Sequence, residues 1–390
     1  MDAKESDKKG IDLYREEFPI TKSSVYLDHA GVAPISLRVK RAVEKFLSQA
    51  AEAGMCSYQD WMDRVGEVRA RCATLIGSQP EEMAFVKNTS HGLSIVAEGL
   101  DWRKGDNLLI CEKEFPSNVY AWLNLKRKGV QIKVVPSRGG RILIEDIERL
   151  IDSRTRLLAI SSVQFSNGFK MDLQSVGEIC RTSGVLFCVD AIQSLGAIPM
   201  NVEEFRVDFL SADGHKWLLA PEGLGIFYCR KELAEGLNPS LLGWKSIQNE
   251  SDYDKLDFRL KENALKFEEG SLNVMGIFGL GAAVELLLEV GIDGIESRLL
   301  ELGDIIMAEA EKRGFAIRTP KSRRERAGIV SILGDFDPLN LKDELRSQGV
   351  IVNVRGGALR ISPHFYNTEA EILRLFEVMD SLLGSVNVSY

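Results

Sequence analysis

Histidine is scarce in this chain, with four in 390 residues, and none stands in an HExxH arrangement, so the sequence carries no metal motif. Its six cysteines (Cys56, Cys72, Cys111, Cys180, Cys188 and Cys229) show no CxxC pairing. That argues against a zinc site or a disulfide framework and fits the reduced thiols of a cytoplasmic protein. No GxGxxG follows an apolar strand pattern, so a dinucleotide-binding fold is not supported. Basic blocks are also missing, apart from Lys321-Ser322-Arg323-Arg324-Glu325-Arg326, which Glu325 interrupts. With 49 basic against 57 acidic residues and a net charge of −8, no nucleic-acid partner is expected. The opening MDAKESDKKG lacks the apolar core of a signal peptide or anchor. The longest apolar stretch, Val274 to Ile292, contains Glu285 and Glu289, both costly in lipid. It reads as a packed helix, and no membrane partner is expected.

What is present is the composition of an ordinary globular protein, 45% hydrophobic and 27% charged. A chain this long exceeds the size at which one core keeps growing, so two domains are the default. From Asp106 onward short apolar runs alternate with helical spacing. Strands are predicted at 108–111, 130–135, 156–163, 185–189 and 207–212, with helices between them. Near-continuous apolar strands separated by helices imply an α/β fold, a mostly parallel sheet covered on both faces. After a less regular region to about Glu269, helices and strands to the C-terminus read as a smaller α+β domain. The expected organisation is an arm over 1–20, a large domain over 21–275 and a small domain over 276–390, the N-terminal segment packing against the last.

In such sheets ligands sit at the carboxyl ends of strands, and the polar residues of interest fall there. Lys216 lies in the turn Asp213-Gly214-His215-Lys216, walled by Trp217, Leu218 and Leu219. Poor solvation there disfavours the ammonium and supplies the free amine that forms a Schiff base. The run Asn88-Thr89-Ser90-His91-Gly92 joins a strand to a helix start. It reads either as a phosphate cradle or as a plain helix cap. Asp190, ending the strand VLFCV, is an N-cap or the partner of a protonated ring nitrogen. Asn167 is a turn residue or a donor in the same cleft. Phe115 is core or an aromatic face laid on a flat ring. Trp244, Tyr58 and Trp61 line the pocket or fill core, core being the preferred reading, and His91 and His364 are read as polar surface.

Taken together, these segments resemble the class V aminotransferase family, a branch of fold-type I pyridoxal phosphate enzymes that includes cysteine desulfurases, isopenicillin N epimerase-like proteins and kynureninases. The resemblance covers roughly residues 24–385. It rests on Asp208-Phe209 through Gly214-His215-Lys216 with Pro221-Glu222-Gly223, on Asp190-Ala191-Ile192-Gln193, on Glu114-Phe115-Pro116-Ser117-Asn118, and on Arg360 with Tyr366-Asn367-Thr368. It implies a seven-stranded, mostly parallel sheet in the large domain and a pyridoxal 5′-phosphate cofactor. Lys216 is then the Schiff-base lysine and proton shuttle, and Asp190 the pyridinium partner. Gln193 and Asn167 look like donors to the ring hydroxyl, Asn167 also to the substrate carboxylate. Phe115 takes the place above the ring. Thr89, Ser90 and His215 match positions around the cofactor phosphate, and Ser271 matches one that reaches the phosphate of a neighbouring subunit, implying a homodimer. Arg360 resembles the clamp on the substrate α-carboxylate, with the loop holding Ala30 beside it.

Three positions depart from the desulfurase pattern. The stretch Val352-Asn353-Val354-Arg355-Gly356-Gly357-Ala358-Leu359 holds no cysteine, Phe115 stands in place of a histidine, and Asp213 in place of a serine. His29 also replaces the asparagine often found after Leu-Asp. These departures argue against persulfide-forming desulfurisation. The expected reaction is transamination of an amino acid, with a 2-oxo acid as acceptor. The alternatives are a β-lyase releasing sulfur or selenium without a protein cysteine, an epimerase, and a non-catalytic dimer that binds the cofactor.

Overall fold

The computed structural model describes residues 13–386. Its centre is a seven-stranded sheet in the order β2 (Met83–Val86), β10 (Gly225–Cys229), β9 (Phe209–Asp213), β8 (Leu186–Asp190), β7 (Thr155–Ser161), β3 (Asn107–Cys111) and β4 (Gln131–Val135). Only β10 runs against its neighbours, so the strands β2, β9, β8, β7 and β3 present their carboxyl ends along one edge. The central strands are buried along almost their whole length, which explains their continuous rather than alternating hydrophobicity. Helices α1 (Leu37–Glu52), α2 (Tyr58–Ile76), α3 (Thr89–Gly99), α4 (Ser117–Leu123), α5 (Ile144–Leu150) and α6 (Leu173–Ser183) accompany it. Helix α3 lies so close to β9 that a Cβ on Gly92 would stand 2.2 Å from the Ser211 hydroxyl oxygen.

The small domain is a four-stranded antiparallel sheet, in the order β11 (Ala316–Ile317), β12 (Val330–Leu333), β15 (Ala358–Ile361) and β14 (Asn353–Arg355). The expected boundary at 276 is displaced. Helix α7 (Val274–Val290) packs on α1 and α2 and lies in the same hydrophobic cluster as the large-domain core. A helix apolar on nearly every face must be buried all round, and the large domain is where that is achieved. Its two glutamates face α1 and α2, where Glu285 pairs with Arg64 at 2.7 Å and Glu289 with Arg38. Helix α8 (Ile292–Lys312) bridges the two cores, with Ile295 and Leu299 in the large-domain cluster and Leu302, Ile306, Met307 and Ala310 in the small-domain one, which α9 (Pro338–Ser347) and α10 (Glu369–Val386) complete.

The arm expected over 1–20 is only partly within the described residues, and the part that is described is docked. Phe18 is fully buried and stacks on Tyr366 at 3.8 Å between ring centroids. Arg15 pairs with Glu371 at 2.8 Å. The chain then runs as β1 (Val25–Tyr26), parallel to β13 (Val350–Ile351) of the small domain. Two aromatic faces and an ion pair supply the affinity that a charged, apolar-poor opening gave no hint of. The two-stranded hairpin β5 (Ser137–Arg138) and β6 (Arg141–Ile142) lies at the rim of the cleft. If Phe18 anchors this segment, Phe18→Ala should reduce the unfolding free energy by about 3–5 kcal/mol in urea titration; an unchanged midpoint would restore the free arm.

Candidate active site

Five strand ends deliver the site. Asp190 closes β8 and is 1% exposed; its Oδ1 accepts from the Ile192 N–H at 3.0 Å, and its Oδ2 is buried without a hydrogen-bond partner. Lys216 follows β9 and is also buried, its Nζ 5.4 Å from the centroid of the Phe115 ring. Phe115 follows β3, is 36% exposed and meets Phe165 in a T-shaped contact at 5.2 Å between ring centroids. It is thus not core. Thr89, buried at the start of α3, accepts from the Asp213 N–H at 3.0 Å and keeps its own hydroxyl hydrogen to give. The cap of α3 is neither Thr89 nor Ser90 but Asn88, whose side chain accepts from the His91 N–H at 3.0 Å. Ser90 is exposed and bonds to Ser117 at 2.8 Å. His215 Nδ1 lies 2.9 Å from Asp213 Oδ1, a close approach without hydrogen-bond geometry.

Gln193 spans the site floor. Its Oε1 accepts from Trp217 Nε1 at 2.8 Å and its Nε2 donates to the Ala30 carbonyl at 3.1 Å, leaving one amide hydrogen for a ligand. Asn167, after β7, gives one amide hydrogen to the Gly140 carbonyl at 2.7 Å and accepts from the Phe169 N–H at 3.1 Å. Ala30 is held by its N–H to the Ser362 hydroxyl at 3.1 Å. Arg360, 1% exposed on β15, gives Nη1 to the Phe165 carbonyl at 3.1 Å and Nη2 to Asp28 at 2.9 Å, with Nε unpartnered. Ser271 is on the exposed surface ahead of α7, where this single chain gives it no place in the cleft.

Burial sets the protonation chemistry. Desolvation drives the Asp190 carboxyl above its usual range, the buried carboxylate of Glu114 adds to this, and the Ile192 N–H and Lys216 oppose it. The Lys216 ammonium is driven below its usual 10.5, first by desolvation and then by the guanidinium groups of Arg360 and Arg355, while Asp190 and Asp213 pull it back up. Glu114 is itself raised by burial; it accepts from the Ser161 N–H at 2.9 Å and Gln164 Nε2 at 2.9 Å, and from the Ser161 hydroxyl.

Several of these residues were not legible beforehand, and some expectations are corrected. Asp28, Glu114 and Asn353 act through partners far away in the chain, and Arg355 is tied to them through Asn353, although Glu114 opens the segment that carries Phe115. His364 is completely buried rather than on the surface. It accepts from the Phe365 N–H at 2.9 Å and donates from Nε2 to the Trp217 carbonyl at 3.1 Å; burial lowers it to about 4, so it stays neutral. His29, also fully buried, bridges the Ser362 carbonyl at 2.9 Å and the Tyr366 hydroxyl at 2.7 Å. Both rings weld the Asp28–Ala30 loop to the small domain and Trp217. His91 is half-buried. Tyr58 and Trp61 are half-buried and Trp244 is 36% exposed, so none of the three is core.

The family model for Aminotransferase class-V matches residues 25–375. The chain belongs to the class V aminotransferase family. A probable cysteine desulfurase of Methanothermobacter thermautotrophicus is 31% identical over 393 residues, covering 95% of this chain and 97% of the relative. An uncharacterized aminotransferase, YcbU, of Bacillus subtilis is 28% identical, covering 92% of this chain and 94% of the relative. Among solved structures, an apo cysteine desulfurase from Thermococcus onnurineus NA1 superposes with a TM-score of 0.88 at 26% identity, covering 95% of this chain and 97% of that one. The fold is that of fold-type I, and the family's cofactor is pyridoxal phosphate.

The residues present fit that group. A buried carboxylate oxygen without a partner is what a protonated ring nitrogen needs, and Asp190 Oδ2 is one. Phe115 offers a ring face, Lys216 an amine, and Thr89 with the free N–H groups of the α3 start a place for phosphate. The rate at which the apoprotein's Lys216 is captured by pyridoxal phosphate and borohydride should rise with pH and level off below 10.5. Because Asp190 raises the amine, Asp190→Asn should move the inflection further down; an inflection at or above 10.5, read by mass spectrometry of the labelled lysine, would contradict the desolvated amine.

Proposed function

We propose that this protein is a pyridoxal phosphate-dependent lyase that breaks the Cβ–S bond of a cysteine-class α-amino acid without passing the sulfur to a cysteine of its own. The observation that carries this is the hairpin ahead of Arg360. Strands β14 and β15 are joined by Gly356-Gly357 alone, with φ of 57° and 76°, a two-residue turn that only glycine forms without strain. It has no cysteine and no slack to carry one. Of the chain's cysteines, Cys188 stands two residues before Asp190 on β8 and Cys111 four before Phe115 at the end of β3; both are buried, and burial first, with the Asp190 carboxylate near Cys188 and the Glu114 carboxylate near Cys111, pushes each thiol well above the ordinary value. Such a thiol stays protonated and is a poor nucleophile. The relatives named as probable cysteine desulfurases support the bond that is cleaved. They do not support transamination as the first reading, and a 2-oxo acid acceptor is not required.

When bound, the cofactor supplies an electron sink that makes the substrate α-carbon acidic. Asp190 holds the positive charge on the ring side of the site. Arg360, kept in plane by Asp28 and the Phe165 carbonyl, receives the α-carboxylate, with the spare amide hydrogen of Asn167 beside it. Lys216 Nζ takes the proton from the α-carbon. The C–S bond then breaks with its electron pair leaving on sulfur, which picks up a proton, and the three-carbon remainder takes up water to leave as pyruvate and ammonia. Phe115 and Phe165 wall this step from bulk solvent on one side.

We further infer a homodimer. The stretch 241–258 exposes Leu241, Leu242, Trp244, Tyr253, Leu256 and Phe258, more apolar surface than one irregular segment leaves to water when nothing covers it. Sedimentation velocity should give twice the monomer mass, and Leu256→Asp with Phe258→Asp should shift the species to the monomer; a wild-type monomer removes this inference.

The loaded enzyme should release pyruvate, ammonia and either hydrogen sulfide (from cysteine) or a thiol (from S-substituted cysteines) in equal amounts, and Lys216→Ala should abolish this while retaining its circular dichroism. Alanine as the product would return the reading to desulfurisation. Conversion of the cofactor to its amine form with no thiol released would return it to transamination.

A further inference from the structure

Pairing across the β14–β15 hairpin puts Asn353 opposite Arg360 and Arg355 opposite Ala358. Directly opposed residues share a face of a sheet, and so do residues two apart on one strand. The face that delivers Arg360 to the site therefore delivers Arg355 as well. A hydrogen-bonded rail joins the two guanidinium groups. Arg360 Nη2 donates to Asp28 at 2.9 Å, Asn353 Nδ2 donates to the other Asp28 oxygen at 2.6 Å, and Arg355 Nη1 donates to Asn353 Oδ1 at 3.0 Å. Along this rail the two cations have unequal partners. Arg360 holds a carboxylate. Arg355, half-buried, holds an amide oxygen and its own strand's Val354 carbonyl at 2.9 Å, and forms no ion pair among the described residues.

A half-buried guanidinium close enough to Lys216 to depress its amine, and without a counter-charge, is set to receive an anion. The α-carboxylate is assigned to Arg360 and the phosphate to the α3 start, so neither serves Arg355. Space exists for a longer substrate: a cavity of about 840 Å³ runs from Asn167, Phe165 and Gln164 to Gly356 next to Arg355, and Arg318 stands on its rim. Arg318 Nη1 donates to the Gly356 carbonyl at 2.7 Å and likewise has no carboxylate partner among the described residues.

We propose that Arg355 is a specificity-determining residue that binds a distal oxyanion, so that the preferred substrate is a cysteine whose sulfur substituent ends in an acid group. This rests on the lyase reading for the bond cleaved, but not for the binding. It commits the substrate to two anionic ends, one for each arginine on the hairpin face. The neutral inner link of the rail, Asn353, keeps the two arginines apart while tying Arg355 to Asp28, which gives the two carboxylates of one substrate separate addresses.

The test uses an isosteric pair, S-carboxymethylcysteine and its uncharged amide, S-carbamoylmethylcysteine, titrated against the cofactor's visible band in the loaded enzyme. Wild type should bind the acid more tightly, and Arg355→Gln should cut the acid-to-amide affinity ratio on the order of 10- to 100-fold, the weight of a charge-assisted hydrogen bond pair. Arg355→Lys, which keeps the charge but not the fork, should retain part of the ratio. Comparing ratios within one enzyme removes general damage from the substitution. An equal ratio in wild type and Arg355→Gln overturns the proposal, as does a variant whose only change is loss of the dimer, since Arg355 would then be serving a partner chain. Because the titration reads binding whichever reaction follows, failure to release pyruvate would sink the lyase reading alone and leave the affinity ratio to decide Arg355.

Discussion

Taking one lysine and one aspartate out of water at adjacent strand ends is what the rest of the site is arranged around. Either group alone would be costly in that position, and each makes the other tolerable only in part: Asp190 pulls the Lys216 ammonium back up, but the two arginines of the hairpin push it down again. The balance leaves an ammonium that gives up its proton more readily than that of an ordinary lysine and a carboxyl group with one oxygen unsatisfied. The structure holds this imbalance because the strands carrying it are packed on both faces and cannot move apart to let water in. Catalytic potential here is stored as missing hydrogen bonds, which a ring nitrogen and an acid substrate can provide.

What the sequence disclosed and what it hid divide along a physical line. Lys216, Asp190, Thr89 and Asn167 were legible because each sits just past a continuous apolar run, and parallel sheets place ligands there. The large sheet was legible for the same reason. Asp28 and Arg355 were not, because their meaning lies in Arg360 and Asn353, and Asp28 and Arg360 stand 332 residues apart in the chain. His364 was misplaced because a polar residue flanked by Pro363 and Phe365 looks like a turn; only the Trp217 carbonyl, brought by another domain, explains why it is buried. The boundary at 276 failed because a uniformly apolar helix says that it is buried without saying in which core.

Family membership fixes the cofactor and the scaffold more firmly than the reaction. The same lysine, aspartate and clamp serve several outcomes, and the outcome turns on what surrounds them. Here the surroundings differ from the desulfurase pattern at the ring face, where Phe115 replaces a titratable imidazole, and at the hairpin, where a glycine pair replaces a cysteine-bearing loop. Both changes remove a group able to move protons or sulfur and leave an apolar or rigid one. Discrimination is thereby shifted from the protein's nucleophiles to the charges that hold the substrate.

The pairing of β1 with β13, and of Asp28 with Arg360, also carries a message about how this protein is made. Residues near the start of the chain and residues near its end must meet before the carboxylate clamp exists, and closing a loop of that length comes late in folding. The central sheet can form from residues 83–229 while the rest is still being synthesised, so the cofactor's anchors precede the substrate's. A chain halted before β14 would carry a reactive lysine with neither Arg355 nor Arg360 to select what reaches it. Competence is therefore withheld until β13 to β15 emerge, and the N-terminal strap, synthesised first, is the one that waits longest for its partner.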